Sequence, residues 1–168
     1  IKTLRKFYPN KKIKRFINWQ KLLKLEEIDI VIIATPHFEL AKILIEAYNK
    51  KKHILVEKPA AKNFTEVKKI VKKIKNNKIK IRVGYNHRYH PSVLRAKKII
   101  KNGMIGKLMY IRARYGHGGR IGYEKEWRAK KSLSGGGELL DQGSHLIDLS
   151  RMFLGEFVKI SGTTNTFF

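Results

Sequence analysis

The feature that most restricts the fold is a short apolar run closed by proline: Ile28-Asp29-Ile30-Val31-Ile32-Ile33-Ala34, then Thr35-Pro36. A near-continuous run of this length is what a parallel strand covered on both faces requires. The pattern then alternates. Residues 38–49 place Leu40, Ile43, Leu44 and Ala47 at helical spacing, His53-Ile54-Leu55-Val56 is a second short strand, and residues 79–85 are a third. Between the last two, residues 63–75 carry an apolar stripe of Phe64, Val67, Ile70, Val71 and Ile74 opposite a lysine-rich face, with Asn63 and Glu66 at capping-box spacing. Strand, helix, strand, helix, strand predicts βαβ units and a parallel sheet. Ligands in such sheets bind outside the carboxyl ends of the strands. Three segments converge there: Thr35-Pro36-His37, Glu57-Lys58-Pro59 and Tyr85-Asn86-His87-Arg88.

Upstream, residues 13–16 read as a short strand and 19–25 as a helical turn or two. The character changes after Arg88. Residues 91–101 read as a helix, with Pro91 in its first turn and Gly103 as its stop. Residues 107–115 alternate as a half-exposed strand, 116–137 form a loop rich in glycine and charge, 138–153 a helix, and a final strand starts at Phe157. The fold class expected is α/β: an incomplete doubly wound, Rossmann-like parallel sheet over residues 1–87, then part of an α+β substrate domain with an open-faced sheet over 88–168.

Composition narrows the function classes. The 168 residues carry a formal net charge of +25. The lysines fall at helical spacing on solvent faces and are not interleaved with base-reading groups, so the charge predicts no specific nucleic-acid site. Abundant Lys, Ile and Asn also fit AT-rich codon usage. No stretch approaches the roughly 18 apolar residues of a membrane helix. Cysteine is absent, which excludes disulfides and thiolate metal sites and fits a reducing cytoplasm.

Chemistry-bearing residues collect in two places. Asp141, His145 and Asp148 fall at i, i+4 and i+7, on one face of a helix. A carboxylate one turn before an imidazole can raise its pKa and hold the ring, although spacing alone favours an ordinary helical ion pair. Gly143 within that helix costs about 0.5–1 kcal/mol relative to Ala and implies a steric cause, such as a close ligand or backbone. In Glu57-Lys58-Pro59, the proline stiffens the strand end, and its peptide bond is open to either isomer. A lysine there can stabilise an incipient alkoxide or be one more surface lysine. His87 and His90 have a spacing seen at some metal sites, but without cysteine or an acidic cluster no metal is expected.

Four segments in register resemble the Gfo/Idh/MocA family, the glucose–fructose oxidoreductase and inositol dehydrogenase group. They are Ile30-Val31-Ile32-Ile33-Ala34-Thr35-Pro36; Lys52-His53-Ile54-Leu55-Val56-Glu57-Lys58-Pro59; Gly84-Tyr85-Asn86-His87-Arg88-Tyr89; and residues 136–148, from Gly136-Gly137-Glu138 to Leu146-Ile147-Asp148. The resemblance implies NAD or NADP as cofactor, a sugar-like small-molecule substrate, and homo-oligomers formed through the C-terminal sheet. It makes Lys58, Asp141 and His145 the catalytic trio. Thr35, Pro36, His37, Glu57, Lys58 and Arg88 fall to the cofactor. Arg88, His117, Trp127, Arg128, Asp141 and His145 fall to the substrate.

Two departures stand out. The family's glycine-rich phosphate loop is not found, nor is the strand before it. With the opening Ile1-Lys2-Thr3, this is expected of an internal piece, about half of a complete member. Leu40 stands where many relatives carry histidine, with His37 a partial substitute. Competing readings are a non-catalytic basic module of the same fold, and a sugar–sugar oxidoreductase with a tightly held cofactor.

Overall fold

The computed structural model describes residues 13–75, 78–116, 121–163 and 165. Three short strands form one parallel sheet in the order β1-β2-β3: β1 (Ile30–Ile33), β2 (His53–Val56) and β3 (Ile81–Val83). Ile30 pairs with His53 and Ile33 with Val56, and Ile54 pairs with Ile81 and Val56 with Val83. Parallel neighbours need crossovers, which the helices α2 (His37–Asn49) and α3 (Phe64–Lys73) supply. A short α1 (Trp19–Leu23) precedes them, capped by the Asn18 side chain, which accepts from the Gln20 and Lys21 amides.

The core is the seam between α2 and one face of the sheet. Leu40, Ile43, Leu44 and Ala47 come from the helix and Val31, Ile33, Ile54 and Val56 from the strands, with Leu23, Ala61 and Ile70 at the margins. Leu40 is wholly buried, so the position where the resemblance implies histidine is here a packing position.

Several expectations need correction. The apolar run of β1 is covered on one face only: Val31 and Ile33 are buried, whereas Ile30 and Ile32 are 64% and 70% exposed. Both crossover helices pack toward the same side, so every second strand residue faces outward among the described residues. The stripe on α3 is likewise half used. Ile70 is buried, but Phe64 and Val71 are exposed, and the Lys68 ammonium lies over the Phe64 ring. The cap of α3 is offset: Asn63 accepts from the Glu66 amide as expected, while the Glu66 carboxylate accepts from Lys62 rather than Asn63.

Residues 13–16 form no strand, and neither do residues 107–115 or the described residues from Phe157. A strand exists only with a hydrogen-bonded neighbour. Alternation reports which side chains share a face, not whether a neighbour is present. Met109, Tyr110, Val158 and Ile160 accordingly stand exposed, and the open-faced sheet is not formed among the described residues.

Helix α4 (Pro91–Lys101) has the bounds its sequence implies, with Pro91 at its first position and Gly103 at φ +70° closing it. The C-terminal half continues with single-turn 3₁₀ helices at Asn86–Tyr89, Tyr123–Lys125 and Trp127–Ala129, a short α5 (Lys131–Ser134), a π turn (Leu139–Gly143) and α6 (Ser144–Leu154). The expected single helix over 138–153 therefore begins as a π turn. Gly143 does have a steric cause, but it is local: a Cβ there would lie 2.9 Å from the tip of Leu139 in that turn.

Gly135 joins the halves. It ends α5 at φ +88°, and a Cβ on it would lie 1.9 Å from the Lys62 carbonyl oxygen. Only glycine lets this backbone approach so closely.

Candidate active site

The carboxyl edge of the sheet brings two distant stretches together. Lys58 follows β2 and precedes a cis bond to Pro59, and its ammonium donates to the Asp141 carboxylate at 2.5 Å and also to the Asp141 carbonyl. Both side chains are nearly buried, 14% and 12% exposed. A desolvated pair of this kind needs further polar partners, and Arg128 supplies one, its Nε 3.7 Å from the other Asp141 oxygen. Burial pushes the Asp141 carboxyl up, but the Lys58 hydrogen bond and charge, followed by Arg128, hold it below the usual carboxylate range.

His145 lies one turn beyond Asp141 and is buried. Its ring stacks on His87 at 3.8 Å between centroids and 13° between planes, and meets the edge of Tyr85 at 5.9 Å. Its Nδ1 is buried with no hydrogen-bond partner among the described residues. Such an orphan costs about 1–3 kcal/mol and fits a ligand hydroxyl. Burial first, then the facing charges of His87 and Lys58, lower the imidazole pKa to about 4, against the pull of Asp148 and Asp141. Asp141 does pull this pKa up, as its spacing implies, without setting the net direction. Desolvation wins, and the Asp141 charge is turned toward Lys58.

The remaining expected residues are placed as follows. Thr35 and Pro36 stand just beyond β1, and Thr35 Oγ1 is buried without a partner among the described residues. At the sheet edge where dinucleotides lie in folds of this kind, that hydroxyl fits a cofactor group. Glu57 is exposed beside Gly84, whose amide donates to the Val56 carbonyl at 2.7 Å. His37 is buried, donates from Nδ1 to the Ser134 carbonyl at 2.9 Å, and meets Trp127 edge-on at 4.7 Å. Arg128 lies over the Trp127 ring. His37 and Ser134 thus join the start of α2 to the end of α5, with Trp127 packed against the imidazole. Arg88 grips Asp148 with both arms of its guanidinium, at 2.6 and 2.7 Å. His117 lies outside the described residues.

Sequence reasoning missed the use of His87, weighed there only for its metal-site spacing with His90. The only signal was its place in the strand-end segment Gly84-Tyr85-Asn86-His87-Arg88. His90, its expected partner in spacing, turns away to Ser92 Oγ at 2.7 Å. Among the described residues, no group of three or more His, Asp or Glu is arranged to hold a metal, and no helix is long and apolar enough to cross a membrane.

With this geometry in view, comparison with known proteins is direct. Residues 2–85 match the oxidoreductase family with the NAD-binding Rossmann fold, and residues 93–168 match the GFO/IDH/MocA C-terminal domain. The chain belongs to the GFO/IDH/MocA oxidoreductase family. Among GFO/IDH/MocA relatives, levoglucosan dehydrogenase of Pseudarthrobacter phenanthrenivorans is 34% identical over 151 residues, covering 89% of this chain and 39% of that protein. The scyllo-inositol 2-dehydrogenase (NAD(+)) of Bacillus subtilis is 32% identical over 139 residues, covering 80% of this chain and 38% of that protein. A solved levoglucosan dehydrogenase in complex with NADH superposes with a TM-score of 0.75 at 34% identity, covering 84% of this chain and 39% of that one. The chain spans about two-fifths of the length of these GFO/IDH/MocA members.

Proposed function

We propose that the complete protein is an NAD(P)-dependent dehydrogenase that moves a hydride between nicotinamide and a hydroxyl-bearing carbon of a sugar or cyclitol. The observation that carries this reading is the meeting of Lys58 and Asp141 at 2.5 Å, with buried His145 one turn further on.

The chemistry follows from the residues. His145 is neutral near physiological pH because its pKa is lowered to about 4, so it is ready to accept the substrate hydroxyl proton. The Lys58 ammonium, aimed by Asp141, is a fixed positive charge beside the oxygen on which negative charge develops. Arg128 and Lys58 divide the two Asp141 oxygens between them, which fixes the carboxylate and, through it, the lysine. Bound nicotinamide supplies the hydride acceptor. The substrate C–H and O–H bonds break, a carbonyl forms, and the proton rests on His145. Thr35 Oγ1 is the protein group suited to a cofactor hydrogen bond at this edge. Sugar and cyclitol substrates are supported by the names of the relatives, and NAD by the NADH complex.

The reading also assigns the protein to the cytoplasm, supported by the absence of cysteine. It assigns assembly to the C-terminal half, supported by exposed apolar Met109, Tyr110, Val158 and Ile160. The test is a panel of sugars and cyclitols offered to the full-length protein with NAD and NADP, following nicotinamide absorbance. Turnover on at least one hydroxyl substrate is expected. Cofactor binding without turnover on any of them defeats the proposal.

A further inference from the structure

Two consecutive residues of the Asn86–Tyr89 turn engage two residues one turn apart on α6. Arg88 forks onto Asp148 at 2.6 and 2.7 Å, and His87 lies flat on His145 at 3.8 Å. Tyr115 also stacks on His87, at 5.9 Å between centroids and 23° between planes. The fork fixes the turn against the helix, and the stack then fixes the plane of the imidazole. His145 itself has no hydrogen bond at Nδ1 to set its orientation among the described residues, so flat contact with His87 and the Tyr85 edge are what remain to do so.

We propose that His87 is a positioning residue for His145, holding the plane of its ring. This rests on the reading of His145 as the proton acceptor. The charged and titratable groups facing His145 are His87 and Tyr85 from the strand-end segment, Lys58 from the β2 loop, and Asp141 and Asp148 from its own helical stretch. Arg88 is neutralised against Asp148. Two parallel imidazoles in van der Waals contact resist being charged together, and of the charged neighbours His87 contributes most to the lowering.

The test uses the full-length protein, with two readouts on His87→Gln and His87→Phe. Ring-proton NMR, with the His145 signal identified by His145→Gln, follows His145 through pH without needing turnover. His87→Gln, which removes ring and charge, is expected to move the His145 midpoint up by about one pH unit. It should also lower kcat on the alkaline plateau about tenfold. His87→Phe restores a flat ring and should recover most of the plateau kcat. An unmoved His145 midpoint in His87→Gln, or a phenylalanine variant no better than the glutamine one, overturns the proposal. A moved midpoint that the acid limb of kcat/KM does not follow leaves the ring contact supported and rejects His145 as the proton acceptor.

Discussion

Arg88 and Asp148 form a two-armed ion pair, Nε to Oδ2 at 2.6 Å and the second arm to Oδ1 at 2.7 Å, across 60 residues of chain. The Asp148 side chain is 9% exposed and that of Arg88 36%, so loss of the arginine strands a buried carboxylate. Arg88→Met is expected to destabilise by about 2–4 kcal/mol, toward the range for breaking a buried pair. Arg88→Lys retains the charge but not the fork and should recover only part of the loss. Urea unfolding of the single and double variants with Asp148→Asn measures both, and additive losses would show that the pair is not coupled.

For the Lys58–Asp141 contact, the proposed dehydrogenase reading expects Lys58→Met to lower kcat by about a hundredfold to ten-thousandfold, since on that reading it removes the charge beside the developing oxyanion. Asp141→Asn should act less severely, because Lys58 keeps its bond to the Asp141 carbonyl. Stopped-flow turnover and cofactor fluorescence separate a chemical loss from weakened binding.

Acid should weaken the fold through its buried histidines. His145 falls from 6.5 to about 4 and His37 is also lowered, in both cases chiefly by burial. The unfolded chain binds protons on these rings at a higher pH than the folded one. Their contribution is therefore fully present above about pH 6.5 and is lost as pH falls toward 4. Tm measured from pH 7.5 to 4.5 should fall, and fall less in His145→Gln. An equal slope in both proteins would remove His145 from this account.

Gly135→Ala should cost at least about 2 kcal/mol, since it combines a positive φ with a Cβ 1.9 Å from the Lys62 carbonyl. Gly122 has φ +86° but nothing within 4 Å of such a Cβ. Gly122→Ala should then cost only the left-handed penalty, about 1–2 kcal/mol. Chemical denaturation of the two variants measures the difference, which is the value of close approach at the seam.

What the sequence discloses and what it conceals follow from how local each feature is. The α4 bounds were legible because Pro91 and Gly103 act on their own backbone. The three parallel strands were legible because each pairs two apolar stretches at regular spacing. Lys58, Asp141 and His145 came from motif resemblance, and the structure brings the first two into contact. Residues 107–115 were misread because alternation carries no information about a neighbouring strand. His87 was missed because stacking on His145 depends on the 57 intervening residues folding first, which leaves no local trace. The net direction of the His145 pKa was not legible, because spacing shows the pull of Asp141 but not the burial around the ring that outweighs it.

The π turn at Leu139–Gly143 sets the phase of everything after it. A wider turn takes in an extra residue, so Asp141 and His145 straddle a junction between two helical pitches. Deleting a single residue between Asp141 and His145, letting the turn relax to ordinary pitch, would leave them three α-helical steps apart, about 300° around the axis and so about 60° short of a full turn. Carboxylate and imidazole would then no longer lie in line along the helix, with every side chain of the trio still present. The spacing of this pair is therefore written in backbone hydrogen bonds as much as in residue identities.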